Sequence, residues 1–333
     1  MADQEFTAPI PLALPLPWQE QLWQSFNRRL EQGRLPHALM LTGPQGIGVD
    51  RLAYAFAQRL LCSAEMSKYA CGTCKGCHLL MAGNHPDFSV LGALDNNPEL
   101  SQGHHQVKPP AVKVDQIREL CTKLSKTAQQ GGWKVALITP AEAMNISASN
   151  ALLKSLEEPQ GKTLLILVSY RPSQVAATIR SRCQVESLPI PESETASRWL
   201  AEVSGDSAAA ESCMELAGGR PLLALEYMQG DSLQQRRDFE ALIDRVRQAD
   251  VSPLDAAQQC QKLNSDQMLE WFMNYLHRLA TGELQNRPNA ALFSFSDKLH
   301  RARGWVLSGS NINPQLLWEE LFMDWMQVFR RRS

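Results

Sequence analysis

Two hydrophobic periods divide the chain. Up to about residue 190, short unbroken apolar runs alternate with amphipathic stretches. ALML at 38–41, FSVL at 88–91, KVALI at 134–138, LLILVS at 164–169 and VESL at 185–188 read as strands. Unbroken runs of that length suit strands covered on both faces. Between them, Trp18, Leu22, Phe26 and Leu30 recur at every fourth position with Gly33 as the stop, which predicts a helix. Leu52, Ala53, Phe56, Ala57 and Leu60 mark a second helix with one apolar side, and Val114, Ile117, Leu120, Cys121 and Leu124 a third. NALLKSLEEP at 150–159 predicts a helix ended by its proline, and a short helix from Pro172 leads into Ser181-Arg182-Cys183. Alternating strands and helices predict an α/β domain built on a parallel sheet.

After Pro189 and Pro191 the strand-like runs stop and helical spacing takes over. A small helical unit with a break at Gly218-Gly219-Arg220-Pro221 is followed by a larger bundle. Its stripes are Met268, Trp271, Phe272, Tyr275 and Leu276, then Trp318, Leu321, Phe322, Trp325 and Phe329. Such stripes are core, not cofactor sites. The expected division is 1–190 for the α/β core, 191–230 for a small helical domain and 231–333 for a C-terminal helical domain. Pro9, Pro11, Pro15 and Pro17 make the first 17 residues an extended lead-in strap, and Arg330, Arg331 and Arg332 a solvated end.

The strand at 38–41 runs into Gly43, Gly46 and Gly48 and then a helix starting at Asp50. That is the layout of a phosphate-binding loop. Its chemistry is missing: where a working loop carries a lysine for the β/γ-phosphates and a Ser/Thr for magnesium, this chain has Val49 and Asp50. An apolar side chain cannot neutralise phosphate, and a carboxylate repels it. Asp50 suits the start of a helix instead. The strand at 134–138 ends in Thr139 and Pro140, where an ATPase displays Asp-Glu to hold magnesium and orient water. Glu142 lies beyond the strand tip, out of place for a catalytic base.

Cys62, Cys71, Cys74 and Cys77 fall within sixteen positions, the last three as CGTCKGC. Overlapping C-x2-C knuckles with adjacent glycines bring four thiolates to one tetrahedral ion, the way structural zinc is held. With four cysteines as ligands no coordination site is open, so the expected zinc is structural. An iron–sulfur cluster and unmetallated thiols are the rival readings of the same residues. His78 and His85 are near enough in sequence to serve as substitute ligands but read as ordinary surface or core histidines.

Composition narrows the classes. The 333 residues carry 33 Lys+Arg against 35 Asp+Glu, a net charge of −2. No global basic field marks a nucleic-acid binder, and the near-neutral charge weighs against a free-standing zinc-dependent DNA-binding module. No stretch approaches the roughly 20 apolar residues of a membrane span and no secretory leader is evident, so a cytoplasmic location is expected. The remaining cysteines, Cys121, Cys183, Cys213 and Cys260, are scattered as packed thiols.

HALMLTGPQGIG at 37–48, the four-cysteine set, NALLKSLEEP and the Ser181-Arg182-Cys183 triplet together resemble the clamp-loader subunits of bacterial DNA polymerase III, members of the AAA+ ATPase superfamily. The match covers about the first 190 residues. The resemblance implies an AAA+ core, a helical lid and a C-terminal collar domain in a heteropentamer. Its partners would be gamma/tau and delta subunits, and its task loading the ring-shaped sliding clamp onto primed DNA. The missing lysine and Asp-Glu pair separate the chain from the ATP-hydrolysing gamma/tau subunits, so no tightly bound ATP is expected. The resemblance places Arg182 where the family has an arginine reaching the ATP of a neighbouring subunit, and Cys62, Cys71, Cys74 and Cys77 on the family's zinc module. Arg220, with Pro221 beside it, lies only near the place of a nucleotide-sensing arginine. The retained glycines keep one alternative open, an ATPase that binds nucleotide through other contacts.

Overall fold

A computed structural model describes residues 12–64, 67–92, 111–229, 232–282, 290–308 and 312–329. Most of the lead-in strap, the stretch 96–110, whose polar residues with Gly103 and two prolines read as a loop, and the arginine end at 330–332 lie outside the described residues. The chain divides into two compact units between Glu226 and Tyr227.

In the first unit, α1 (Glu20–Glu31) precedes β1 (Ala38–Thr42) and α2 (Val49–Leu61). The short α3 (Lys75–Met81) leads to β2 (Phe88–Gly92), α4 (Val114–Leu124) and β3 (Lys134–Thr139). Then come α5 (Ile146–Glu157), β4 (Thr163–Ser169), α6 (Ala177–Arg180) and β5 (Gln184–Ser187). The five strands form one sheet in the order β2-β3-β4-β1-β5, and every pairing is parallel. β1 lies inside the sheet, with Thr42 beside Ser169 of β4 and Ser187 of β5, so its C-terminal end delivers the glycine turn at the middle of the strand tips. In open α/β sheets ligands are bound at these tips.

The strands alternate their faces with a period of two. Leu39, Leu41, Val135, Leu137, Leu164, Ile166 and Val168 pack with α1 and α2 residues such as Trp23, Phe26 and Phe56. Ala38, Met40, Ala136, Ile138, Leu165 and Leu167 pack on the other face with Ile117, Leu120, Leu152 and Ile179. The unbroken apolar strands follow from this double cover. α2 departs from the one-sided reading: twelve of its thirteen residues are buried, all but Arg51. The alanines Ala53, Ala55 and Ala57 let neighbours close on every side. α5 begins four residues earlier than its apolar pattern suggests, because Asn145 accepts the Ala148 N–H and caps it.

Three further helices, α7 (Ser193–Ser204), α8 (Ser207–Leu216) and α9 (Pro221–Gln229), occupy the 191–230 stretch. They belong to the first unit as far as Glu226. The second unit is all helical: α10 (Ser232–Arg247), α11 (Pro253–Cys260), α12 (Ser265–Thr281), α13 (Ala290–Ser308) and α14 (Pro314–Phe329). Phe239, Phe272, Trp318, Phe322 and Trp325 form its aromatic centre. At its margin Arg303 ties α13 to α12 through Asp266 at 2.6 Å and Glu270 at 2.7 Å. Among the described residues no helix is long and apolar enough to cross a membrane.

Candidate functional site

The loop after β1 keeps the backbone of a phosphate cradle. Gly46 and Gly48 have φ of 85° and 80°, the left-handed region that glycine enters without strain, and Gly48 is the N-cap of α2. Asp50 is therefore the second helical residue and not the cap. The loop's carbonyls are held by other parts of the chain. Gln19 donates to the carbonyls of Ile47 (3.1 Å) and Gly48 (2.8 Å), and the Trp18 indole donates to Ile47 (2.9 Å). Gln19 is itself held by the Leu16 N–H at 2.9 Å. From the other side, the Leu222 N–H at the start of α9 donates to the Gly46 carbonyl at 2.9 Å. A Cβ on Gly46 would come within 2.9 Å of Leu223, and one on Gly48 within 2.7 Å of Leu16. Glycine is needed here for packing against protein.

Val49 is fully buried and Asp50 nearly so. Burial, then the nearby Asp50 and Glu142 carboxylates, hold the Tyr170 pKa well above the tyrosine value, against a hydrogen bond with Thr139. Glu142 accepts the N–H groups of Tyr170 and Arg171, both at 3.1 Å, with its side chain 2% exposed. It fastens the turn that leaves β4. Arg220 donates back to the Ala217 carbonyl at 2.7 Å, and its Cβ carbon lies against Gly46.

The four cysteines converge. Cys62 follows directly on α2, Cys74 caps α3 and Cys77 lies within it, and the four sulfurs all fall within 4.8 Å of one another. Cys71–Cys77 and Cys62–Cys74 are each 3.9 Å apart. A tetrahedral ion with zinc–sulfur bonds near 2.3 Å sets its sulfurs about 3.8 Å apart, and a four-iron cluster, with one thiolate per iron, holds them further apart. Backbone N–H groups point at the sulfurs: Ala64 and Cys71 at Cys62, Cys74 at Cys71, and Cys77 at Cys74, all at 3.3–3.4 Å. Donors aimed at sulfur favour thiolates. The Thr73 hydroxyl and neighbouring N–H groups lower the Cys71 pKa to about 7. Burial pushes the Cys74 thiol up, but bonds from Ser63 and the Cys77 N–H outweigh it and leave it at about 6. Burial raises Cys62 and Cys77. The residues fit a closed tetrahedral metal site. His78 is exposed, and His85 is buried with Nδ1 accepting from the Asp87 N–H.

Arg182 follows α6 and lies at the end of α5. Its Nε and Nη2 meet Glu157 Oε1 at 2.8 and 2.6 Å. Its Nη1 donates to the Thr178 carbonyl at 3.1 Å and to Ser181 Oγ at 3.4 Å. The side chain remains 36% exposed.

A family model described as DNA polymerase III, delta subunit, matches residues 18–192. DNA polymerase III subunit delta′ of Pseudomonas aeruginosa is 35% identical, the alignment covering 94% of this chain and 97% of that protein. The chain belongs to the DNA polymerase III delta-prime family. The delta′ subunit of Escherichia coli is 35% identical over 78% of this chain and 74% of its own length. A gamma subunit-related protein of Thermotoga maritima is a looser likeness, at 14% identity and a TM-score of 0.45 over 94% of this chain and all of that one.

The chain has a parallel five-stranded α/β domain followed by a helical C-terminal region. Sequence reasoning did not find Gln19, Tyr170 or Glu157. Gln19 and Tyr170 carry no motif, since their roles come from loops that meet only in three dimensions. Glu157 lies within NALLKSLEEP, and its pairing with Arg182 depends on where α5 and α6 end.

Proposed function

We propose that this delta-prime family member is a non-hydrolysing wall subunit of a clamp loader. It would stand beside gamma/tau and delta subunits in a heteropentameric ring that loads the sliding clamp onto primed DNA in the cytoplasm. The observation that carries the reading is the loop at 43–50: Val49 and Asp50 replace the phosphate and magnesium ligands, and Gln19, Trp18 and α9 occupy its carbonyl side and flank. A subunit that does not switch with nucleotide serves as a fixed wall. Arg182 is its contribution to catalysis, acting in trans on the ATP of a neighbouring subunit. A guanidinium suits that role because it stays charged and forks onto phosphate oxygens. Cys62, Cys71, Cys74 and Cys77 would hold one structural zinc, which when bound supplies folding free energy and no Lewis-acid position. The C-terminal helices from residue 231 would join the collar, with 191–230 as the lid.

The test is an equilibrium titration of the isolated chain with fluorescent ATP and magnesium, hydrolysis being followed in the same tube. No binding up to millimolar nucleotide is expected. Turnover by the isolated chain would overthrow the reading in favour of an independent ATPase. Removing residues 231–333 is expected to abolish assembly with partner subunits, and a truncated chain that still joined them would refute the collar assignment.

A further inference from the structure

Glu157 occupies an unfavourable place for a carboxylate. It is the last residue of α5, where the helix presents free carbonyls and the negative end of its dipole. The offset comes from Arg182, whose guanidinium is satisfied by two helix ends at once. Oε1 of Glu157 takes the Nε hydrogen and lies 2.6 Å from Nη2, while the Thr178 carbonyl, in the last turn of α6, and Ser181 Oγ accept from Nη1. Nε and Nη1 are thus hydrogen-bonded, and Nη2 is held, among the described residues, by the ion pair with Glu157 alone. An unrestrained arginine on a surface samples many rotamers; this one is fixed from three directions while over a third of its side chain stays exposed.

We propose that Glu157 is the positioning residue of Arg182, holding the guanidinium in one direction so that its exposed part can meet a phosphate oxygen of a nucleoside triphosphate on an adjoining subunit. This rests on the reading of Arg182 as a group acting in trans. Glu157 touches no phosphate; it acts through Arg182 by fixing its direction before the neighbour arrives, which is where preorganised donors gain their effect. What the carboxylate supplies is an acceptor oxygen, so glutamine is an adequate substitute and alanine is not.

The experiment uses the reconstituted complex, with Arg182→Ala, Glu157→Ala, Glu157→Gln and the Arg182→Ala/Glu157→Ala double variant. Assembly is checked by gel filtration and ATP turnover is resolved into kcat and KM. Glu157→Ala is expected to lower kcat about tenfold or more, within the roughly hundredfold general cost of a 1 Å misplacement, and to leave the KM for ATP unchanged. Glu157→Gln is expected to restore most of that loss, and Glu157→Ala to add nothing in the Arg182→Ala background. An unchanged kcat in Glu157→Ala would reduce the contact to a surface ion pair. A raised kcat would make Glu157 a competitor for the arginine, and a further loss in the double variant would mean that Glu157 acts by another route; each overturns the proposal. If Arg182→Ala itself leaves turnover unchanged, the trans reading fails and the Glu157 assignment falls with it, which separates the two failures.

Discussion

The loop between β1 and α2 and the corner between α5 and α6 belong to the same sheet domain and have diverged in opposite senses. The loop keeps the shape of a phosphate site, with left-handed glycines and a helix behind them, but its chemical groups are gone and Gln19, Trp18 and Leu222 hold its carbonyls. The corner keeps a charged, fixed and half-exposed guanidinium. A cradle for phosphate needs backbone donors facing solvent, whereas a group offered to a neighbour needs only a rigid anchor and an open face. A loop without phosphate-binding side chains is therefore compatible with an arginine offered at another corner of the sheet.

The sharpest break in this comparison is removal of the metal expected at Cys62, Cys71, Cys74 and Cys77, which lie between the loop's helix and the rest of the sheet. Metal analysis should find one zinc per chain, and chelation or Cys77→Ser should unfold the segment around α3, since structural zinc contributes about 10 to 16 kcal/mol in small zinc-binding domains. The module also braces α1: Lys68 pairs with Glu20 at 2.6 Å, and Tyr69 stacks on Trp23 with centroids 5.5 Å apart. Hydrogen exchange in α1 should rise on chelation, while exchange at α5 and α6 stays unchanged. Next comes Arg182→Ala, which should slow ATP hydrolysis at the one adjoining site by on the order of 10³, read as a lost phase of phosphate release in the assembled complex.

A smaller effect is expected from the reverse experiment. Val49→Lys with Asp50→Thr restores the side chains of a working loop, yet nucleotide affinity by calorimetry should improve by less than about tenfold, because the packing of Leu16 and Leu223 on the glycines remains. Micromolar binding by this variant would show that the missing side chains alone silenced the site. The smallest effect concerns Glu226, whose pKa burial raises to about 7 and whose Oε2 has no hydrogen-bond partner among the described residues. With the folded pKa above the unfolded one, the folded state binds the extra proton between about pH 4.5 and 7, so stability falls as pH rises through that window. Glu226→Gln should raise the melting temperature at pH 8 and leave it little changed at pH 5.

Much of this was legible along the chain. Val49, Asp50, Thr139 and Pro140 announce a site without its catalytic groups, because each chemical role demands a residue type at a set distance from a strand end. The cysteine spacing likewise brings four sulfurs together, because all four lie in one local segment. The cover of the loop was not legible. It is assembled from Leu16, Trp18 and Gln19 ahead of β1 and Leu222 and Leu223 in α9, segments about 200 positions apart. The all-round burial of α2 was hidden for the same reason: alanine is compatible with either face of a helix, and only its neighbours decide.

By itself, then, the sequence determined the strand and helix order, the absence of phosphate and magnesium ligands, and the four-thiolate cluster. These depend on residue chemistry and on spacing within one local segment. The tertiary structure decided that the glycine loop's carbonyls are held by protein, that Tyr170 is buried near the Asp50 and Glu142 carboxylates, and that Glu157 holds Arg182. Those contacts join residues whose separation along the chain has no fixed relation to their separation in space, and they exist only once the sheet has set the strand tips and helix ends side by side.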